Sequence, residues 1–343
     1  MKRFKKASEI KVGAVGYGAS FNMGRHHLNE VLRAGMTPVA VADIDATRLD
    51  VAVKDFPGIE TYDSLGAMLR KSDVHLVLII TPHNTHTKLA LQALKAGRNV
   101  VSEKPFAITT SECDAMINTA KAQGVFVSTY HNRHWDGCIL NAMKKIRGGA
   151  IGDVIRIEAH MGGYGKPGDW WRTSKSISGG ILYDWGAHLL EYSLQIMDDE
   201  MREVSGYVQR GYWASQTRWK ADTNEDEAVA VVRFKTGRWL ALTISSIDSN
   251  PKAGQLEITG TKGTYIFDGG SYTIHSYKKG ELVTAKGRNP ESEGWRFYQN
   301  IADHLTKGTD LAITGEWARR PIHILDLAGQ SAAKGVAMKT RYV

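Results

Sequence analysis

The sequence of 343 residues has only two cysteines, eight prolines and no long apolar run. Cys113 and Cys138 lie far apart in the chain, which argues against a disulfide framework and favours a reducing compartment. The basic start at residues 1–6 is not followed by the apolar core of a signal peptide, and no segment approaches the roughly 20 apolar residues that cross a bilayer. Cysteine, histidine and carboxylate residues show no zinc-site spacing. We therefore expect a cytoplasmic protein that binds neither a membrane nor a metal.

Positive charge is in excess but is not concentrated. The formal net charge is +8, and the lysines and arginines are dispersed apart from the N-terminal tip. A nucleic-acid binder usually carries them in one stripe or arm, so we expect no nucleic-acid partner. A basic surface is equally suited to an anionic cofactor or an acidic substrate. The composition is ordinary for a globular protein, and the length favours two domains.

The first part of the chain alternates apolar strands with helical segments. We predict strands at about 10–15, 39–43, 74–80, 99–103 and 125–130, and helices at about 25–34, 88–96 and 111–123. The run at 74–80 is almost continuously apolar, as in a strand buried on both faces. Strands that alternate with helices form a doubly wound parallel sheet. The sequence therefore predicts an α/β domain of this kind over residues 1–130.

From about residue 152 the pattern changes to short alternating strands separated by glycine turns. These strands are predicted at 154–160, 227–234, 239–246, 256–259, 264–267 and 272–277. Short strands joined by tight turns are typical of an antiparallel sheet. We predict a second, α+β domain over residues 131–343, with a large, mostly antiparallel sheet whose open face can cover a helix or pair with another subunit. A last helix at about 316–336 can return to the first domain.

A glycine-rich loop follows the first predicted strand. Gly16 and Gly18, between a strand and a helix, let the backbone turn tightly and approach a pyrophosphate that the helix N-terminus stabilises. The usual third glycine would fall at Phe21, while Gly24 comes three residues later, so the loop is extended. The alternative is a plain glycine turn. A dinucleotide site here would comprise Gly16, Gly18, Ala19, Ser20, Phe21, Asn22 and Met23.

An acid ends the second predicted strand. Asp43 is placed to bind both ribose hydroxyls of an adenosine. Its charge would repel a 2′-phosphate, so NAD is favoured over NADP, although Arg48 is close enough in sequence to soften that preference. The alternative is that Asp43 only caps the following helix.

Two further strand ends carry polar side chains. The strand at 74–80 ends in Thr81-Pro82-His83-Asn84-Thr85-His86, and the strand at 99–103 ends in Glu103-Lys104-Pro105. Open parallel sheets bind ligands at the carboxyl ends of their strands. These ends and Asp43 therefore place polar groups on one rim, where Lys104 would meet both cofactor and substrate. The alternative for Lys104 is a surface position beside Glu103.

The second domain contains a spacing typical of a helix. Asp184 and His188 are four residues apart, which places both side chains on one helix face. Their neighbours are apolar, and the Gly179-Gly180 pair permits close approach to a ligand. The alternatives are a surface pair or a helix cap. Upstream, an aromatic and cationic loop suits a sugar or a carboxylate, the alternative being a core cluster. This loop contains Tyr164, Trp170, Trp171 and Arg172.

Together these motifs resemble those of the Gfo/Idh/MocA family, named for glucose–fructose oxidoreductase, inositol dehydrogenase and a rhizopine-catabolism protein. Glu103-Lys104-Pro105, followed about 80 residues later by Asp184-x-x-x-His188, is specific to this family, and the resemblance covers nearly the whole chain. The family consists largely of NAD(P)-dependent dehydrogenases and reductases of sugars and polyols. Its members are commonly dimers or tetramers that associate through the second-domain sheet.

The resemblance implies a Rossmann domain and a set of site residues. Lys104, Asp184 and His188 are implied as catalytic residues, and the implied substrate-binding residues are Lys104, Tyr164, Trp171, Arg172, Asp184 and His188. The implied cofactor is NAD, with NADP as the other candidate. Besides the glycine loop, the implied cofactor-binding residues are Asp43, Arg48, Thr81, Pro82, His83, His86, Glu103, Lys104 and Arg133.

The resemblance also implies a reaction, in which a hydride moves between the nicotinamide and a carbinol carbon. His188 would be the general base, and Lys104 would stabilise the developing alkoxide. Asp184 would orient the sugar. Lys104 of the first domain would then face His188 of the second. Two other functions share these residues: a redox-neutral glycosidase that retains NAD, and a non-catalytic dinucleotide and sugar sensor.

Overall fold

The structure is a computed structural model that describes residues 3–18 and 20–342. It divides into two compact units, with boundaries after Asn132, Gly294 and Arg319. The first unit combines the N-terminal part of the chain with residues 295–319, and the second unit holds the remainder. The predicted division of the chain at residue 130 remains a proposal for its domains.

The first unit is built on one parallel sheet of six strands. The strands are β1 (Lys11–Val15), β2 (Thr37–Ala42), β3 (Glu60–Tyr62), β4 (Leu76–Ile79), β5 (Asn99–Ser102) and β6 (Val127–Thr129). The helices that follow them are α1 (Met23–Arg33), α2 (Ala46–Asp55), α3 (Leu65–Lys71), α4 (His86–Lys95) and α5 (Thr110–Gln123). The order β3-β2-β1-β4-β5-β6 is that of a doubly wound dinucleotide-binding sheet, so the predicted fold of this unit is confirmed.

The centre of this sheet is strongly apolar because helices cover both of its faces. All four residues of β4 are fully buried, as expected for a strand of a parallel sheet. The polar residues that follow β1, β2 and β5 are therefore brought to one edge by strands that cannot shift without exposing apolar side chains. Among the strands and helices of this unit, four were not predicted, namely β3, α2, α3 and the helix over Arg296–Lys307. β3 is a three-residue edge strand with little apolar content.

The second unit is built on a mostly antiparallel sheet of nine strands, as predicted. Their order is β14-β13-β12-β11-β7-β10-β9-β8-β15, and β7 and β10 are the parallel pair. The elements, in chain order, are α6 (Gly137–Arg147), β7 (Val154–Gly162), α7 (Lys175–Ser178), α8 (Gly186–Ile196), β8 (Met201–Gln209), β9 (Glu227–Phe234), β10 (Trp239–Ser245), β11 (Leu256–Gly260), β12 (Gly263–Phe267), β13 (Ser271–Lys278), β14 (Glu281–Arg288), α9 (Arg296–Lys307, which belongs to the first unit), α10 (Gly315–Lys334, which crosses the last boundary) and β15 (Met338–Lys339).

Helix α8 is the core helix of the second unit and packs on β7 and β10. Almost every residue of α8 is buried, which fits a helix that is apolar on most sides. Along β7 the residues alternate: Ile157 and Ala159 are buried, whereas Arg156 and Glu158 lie half-buried on the other face. One face of the sheet thus carries α8, and with it His188.

Three strands of this sheet were not predicted: β15 has only two residues, and β14 and β8 lack the apolar alternation of a half-buried strand. In β14 every residue except Gly287 is exposed, and β14 pairs only with β13. In β8 only Met201, Val204 and Gly206 are buried.

The two cysteines are buried free thiols, and burial raises the pKa of Cys138 to about 11. In the described part of the chain, none of the helices has the length and apolarity to span a membrane.

Candidate functional site

Three glycines of the loop after β1 have three different structural roles. Gly16 has φ +92°, and a Cβ there would lie 2.2 Å from the Ile80 carbonyl oxygen, so the turn requires glycine. A Cβ on Gly18 would meet nothing within 4 Å, which leaves that backbone open to a ligand. A Cβ on Gly24 would lie 2.5 Å from the ring of Tyr17, so this glycine lets α1 pack against the loop. The tight turn, the ligand approach and the helix packing of a dinucleotide loop are therefore all present.

The predicted extension of this loop precedes α1. Phe21 is 55% exposed, and Asn22 has φ +50° at the N-cap of α1, which starts at Met23. Ser20 is also exposed. Ala19, which was predicted as a cofactor-binding residue, lies outside the described residues. The extension thus moves the packing glycine from position 21 to position 24 without removing its role.

Asp43 lies directly after β2 and is tied to the glycine loop. Its Oδ2 accepts a 2.6 Å hydrogen bond from the Tyr17 N–H, and its Oδ1 accepts a 2.9 Å bond from the Asp45 N–H. Asp45, not Asp43, caps α2 through Thr47. Arg48 lies 3.8 Å from Asp45. The open cradle at Gly18 and the anionic group at the end of β2 fit a dinucleotide with a free ribose.

The turn after β4 is held by its own hydrogen bonds. The Thr81 and Thr85 hydroxyls lie 2.6 Å apart, and the Thr85 hydroxyl donates to the Pro82 carbonyl at 2.6 Å. His83 is buried in the 3-10 turn that precedes α4. Thr81 and Pro82 remain half-buried. The turn therefore offers a stable surface at the rim.

His86 ties this turn to the end of β5. It is fully buried, with Nε2 2.8 Å from the Thr81 carbonyl oxygen and Nδ1 2.9 Å from the Pro105 carbonyl oxygen. Burial lowers the pKa of His86, and the two carbonyl contacts only partly oppose this. Because both ring nitrogens face backbone oxygens, we expect His86 to brace the rim rather than to bind the cofactor through its ring.

Glu103 and Lys104 follow β5 at the same rim. The Glu103 Oε2 accepts a 2.9 Å hydrogen bond from the Lys104 N–H, and its Oε1 lies 2.8 Å from His27 Nε2. Burial would raise the pKa of Glu103, but the hydrogen bond from His27, together with Lys104, lowers it to about 2. Lys104 is half-buried. The rim therefore holds a fixed carboxylate beside the lysine.

Arg133, the first residue of the second unit, is held there by two groups. Its Nη1 donates to Asp136 Oδ2 at 2.9 Å, and its guanidinium lies 4.8 Å from the ring centre of Trp185. The Tyr192 hydroxyl donates to the same Asp136 oxygen at 2.5 Å. Arg133 is thus attached to the segment that leads into α8.

Arg172, Trp171 and Asp184 come together in the second unit. The Arg172 Nη1 lies 3.5 Å from Asp184 Oδ1, and the guanidinium lies 5.1 Å from the Trp171 ring centre and 5.0 Å from that of Trp170. The side chains of Arg172 and Asp184 are only partly exposed. A cation, a carboxylate and two aromatic rings thus lie together in this part of the second unit.

The prediction that Asp184 and His188 lie on the same helix is wrong, because the helix starts after Asp184. Helix α8 begins at Gly186, and Asp184 lies before it, after a 3-10 turn over Ile181–Tyr183. His188 is in the first turn of α8 and 6% exposed, with its ring 5.7 Å from that of Trp185. Asp184 therefore precedes α8 and His188 lies within it, so the two residues do not form a pair on one face of a helix.

The glycine pair before this turn accommodates the chain itself. Gly180 has φ +130°, and a Cβ there would lie 2.7 Å from Glu225 Oε2; a Cβ on Gly179 would lie 3.0 Å from the Tyr183 ring. The buried Glu225 accepts from the Ile181 N–H at 3.1 Å and from Arg210 at 2.8 Å. Glu225 and Tyr183 are therefore one reason for glycine at these positions, and approach of a ligand to this glycine pair stays a prediction. Glu225 itself was missed, and the acidic pair before β9 was its only local signal.

Tyr164 lies in a different cluster from Arg172. It is 58% exposed, its hydroxyl is hydrogen-bonded to that of Tyr212, and its ring lies 5.6 Å from that of Trp213. Tyr164 thus belongs to a surface cluster with the loop after β8. Its predicted part in substrate binding remains a proposal. Among residues 3–18 and 20–342, no group of three or more histidine, cysteine or acidic side chains is arranged to hold a metal ion.

Comparison with known proteins extends these observations to the whole chain. Residues 10–131 match the family model described as an oxidoreductase family with an NAD-binding Rossmann fold, and residues 139–266 match the C-terminal domain model of the same family. The uncharacterized oxidoreductase YdgJ of Escherichia coli is 30% identical over 95% of this chain and 97% of its own length. The scyllo-inositol 2-dehydrogenase (NADP(+)) IolW of Bacillus subtilis is 24% identical over 97% and 96%. A crystal structure of an NAD-binding protein from Listeria innocua has a TM-score of 0.80 at 26% identity, covering 98% and 97% of the two chains.

Proposed function

Because the chain belongs to the Gfo/Idh/MocA oxidoreductase family, we propose that it is an NAD(P)-dependent dehydrogenase or reductase of a sugar, a polyol or a sugar derivative. The observation that carries this proposal is the rim of the first sheet. There the glycine loop, Asp43 and Glu103-Lys104 follow the carboxyl ends of β1, β2 and β5. Such an edge is where an open parallel sheet binds its ligand.

The cofactor we propose is NAD in preference to NADP. Asp43 is an anion at the end of β2, and its position is fixed by the Tyr17 and Asp45 N–H groups. A 2′-phosphate beside it would be repelled, whereas ribose hydroxyls can donate to it. Arg48, the nearest candidate to attract a phosphate, lies beside Asp45 instead. The NADP(+) in the name of the Bacillus subtilis relative makes this preference worth measuring.

The proposed chemistry divides among residues of both units. In the oxidation direction the alcohol loses a hydride from carbon and a proton from oxygen, and a carbonyl is left. Bound NAD would accept the hydride. We assign the proton to His188, since an imidazole suits general-base catalysis near neutral pH. The Lys104 ammonium would stabilise the negative charge that develops on the substrate oxygen, and Asp184 would orient a neighbouring hydroxyl.

The substrate class we propose is a cyclic polyol or a sugar. Arg172, Trp171 and Asp184 present donors, an aromatic face and an acceptor to one ligand. Such a set suits hydroxyl groups on one side of a ring and C–H groups on the other. The name of the Bacillus subtilis relative refers to an inositol, which supports the same class.

A substrate panel tests this function. The wild-type protein would be incubated with inositols, aldoses, uronates and glycosides, with NAD and separately with NADP, while the absorbance of reduced nicotinamide is followed. We expect reduced cofactor to accumulate with at least one cyclic polyol or sugar. Release of an aglycone without net NADH would instead indicate a redox-neutral glycosidase. Dinucleotide binding without turnover of any compound would indicate a sensor.

We also propose that copies of the chain associate through the face of the second sheet opposite α8. That face carries Arg156, Glu158 and Glu257, with the Arg156 guanidinium 5.8 Å from the Trp239 ring centre. Lys252 reaches Glu158 at 3.1 Å. Light scattering on the purified protein should give the mass of a dimer or a tetramer, and a monomer at micromolar concentration would contradict this proposal.

A further inference from the structure

Behind Lys104, a chain of three side chains links three elements of the first unit. The Tyr298 hydroxyl of α9 lies 2.6 Å from His27 Nδ1 of α1, and His27 Nε2 lies 2.8 Å from Glu103 Oε1. The other oxygen of Glu103 accepts the Lys104 N–H at 2.9 Å. His27 is 1% exposed and Tyr298 is fully buried. The hydrogen bonds thus lead to the backbone N–H of Lys104, the residue to which we assign alkoxide stabilisation.

The hydrogen bonds have one consistent direction. An ionised carboxylate only accepts, so His27 Nε2 must carry a proton and donate it to Glu103. In a neutral imidazole Nδ1 is then an acceptor, and it receives the Tyr298 hydroxyl proton. The buried polar side-chain atoms of Tyr298, His27 and Glu103 all have partners in this arrangement, which a carboxylic acid at Glu103 would disturb.

We propose that His27 and Tyr298 are positioning residues for Lys104, because they hold the Glu103 carboxylate that receives the Lys104 N–H. This inference rests on the proposed function only in the role given to Lys104. It predicts that the carboxylate stays ionised in the wild type, and that loss of His27 lets it become protonated near neutral pH.

The charges around Glu103 support this assignment. Burial alone would raise the pKa of Glu103, and the hydrogen bond from His27, together with the charge and backbone N–H of Lys104, reverses that effect. The other titratable groups that face this region come from every element packed around it: His26 and Glu30 from α1, His86 from α4, Tyr130 from the end of β6 and Tyr298 from α9. Glu103 is hydrogen-bonded by His27 Nε2 at one carboxylate oxygen and by the Lys104 N–H at the other.

The first test measures stability and needs neither cofactor nor substrate. With His27 replaced by leucine, we expect burial to dominate and the pKa of Glu103 to rise above its ordinary value of 4.5. The folded state then binds more protons than the unfolded state just above that pH, so stability falls as the pH rises. We expect the loss of Tm in His27→Leu, relative to wild type, to be larger at pH 8 than at pH 5. His75→Leu is the matched control, since it removes another hydrogen-bonded histidine of the first unit and should lose similar Tm at both pH values.

The second test measures turnover against pH with a substrate found in the panel. In the wild type, protonation of Glu103 should not lower kcat/KM between pH 6 and pH 8. In His27→Leu, kcat/KM should be about tenfold or more below wild type at pH 6 and should recover partly at pH 8. His27→Gln, which retains an N–H donor toward Glu103, should restore most of the activity. Tyr298→Phe should shift the profile in the same direction by less, and Tyr62→Phe, which removes a surface hydroxyl bonded to Glu60, should not shift it.

Two results would overturn the proposal. The first is a Tm loss in His27→Leu that is equal at both pH values. The second is a Tyr298→Phe profile parallel to wild type, which decides the matter if His27→Leu does not fold. A wild type without turnover on any compound would refute the proposed function, while the stability test would still decide whether His27 keeps Glu103 ionised.

Discussion

The Asp43 carboxylate accepts a 2.6 Å hydrogen bond from the backbone N–H of Tyr17, which joins the end of β2 to the glycine loop. The Tyr17 hydroxyl donates to Asp55 at 2.8 Å, and Arg25 donates to the same carboxylate oxygen at 2.7 Å. The loop is thus attached on one side to the sheet and on the other to α2 and α1. A loop held in this way loses little conformational freedom when a dinucleotide binds.

Replacing Asp43 with asparagine should change the cofactor preference with little effect on the loop. The asparagine oxygen can still accept from Tyr17, whereas the bond from the Asp45 N–H is lost because an NH2 group replaces the second oxygen. The charge that repels a 2′-phosphate is removed. We expect the ratio of kcat/KM for NADP to that for NAD to rise by about tenfold or more, given that a charge interaction of about 1.4 kcal/mol corresponds to a factor of ten. Asp45→Asn is the matched control and should leave the ratio unchanged. Equal ratios in the two variants would refute the role of Asp43.

Two alanine substitutions in the glycine loop should have opposite effects on binding and stability. Gly18→Ala meets no protein atom, so Tm should stay near wild type while the Kd for NADH rises because the Cβ occupies the ligand approach. Gly24→Ala places a Cβ against Tyr17 and should destabilise the fold by about 1–3 kcal/mol. Thermal unfolding and fluorescence titration with NADH measure both effects. Unchanged NADH affinity in Gly18→Ala would contradict the assignment.

Arg172→Leu should weaken substrate binding without affecting the cofactor. The guanidinium lies 3.5 Å from Asp184 and over two tryptophan rings, so its loss removes a donor and releases the carboxylate. We expect KM for the substrate to rise by about 10–100-fold, the range for a lost hydrogen bond to a charged group, with an unchanged Kd for NADH. Arg218→Leu is the control, since its guanidinium also lies over a tryptophan, 4.6 Å from the Trp219 ring centre. Similar KM changes in both variants would argue against a specific role for Arg172.

The sequence predicted those parts of the molecule that depend on local pattern. The buried run that became β4, the glycine turn and the polar residues after β2 and β5 are all read from neighbouring residues. What it could not predict depends on contacts between distant segments. Glu225 fills the space beside Gly180, and His27 reaches both Glu103 and Tyr298, from parts of the chain with no shared local signal. Likewise β14 is a strand because β13 pairs with it, not because its own residues are apolar.

The buried His86 should make the fold sensitive to mild acid. Because burial lowers its pKa in the folded state, the unfolded chain binds more protons as the pH falls below about 6.5, and unfolding becomes more favourable. We expect Tm to fall between pH 7 and pH 5 in the wild type, and to fall less in His86→Gln. His275→Gln, on the β13–β14 hairpin, should keep the wild-type slope. An identical slope in His86→Gln would show that His86 does not contribute.

The role of Lys104 is the central claim, and one measurement tests it most directly. Lys104→Met removes the ammonium group and keeps most of the side-chain volume. With the best substrate of the panel and NAD, we expect kcat to fall by about 10²-fold or more, the usual contribution of such a group, while NADH binding by fluorescence stays measurable. Lys11→Met, which removes an exposed lysine paired with Asp73, should behave as wild type. Wild-type turnover in Lys104→Met would contradict the account.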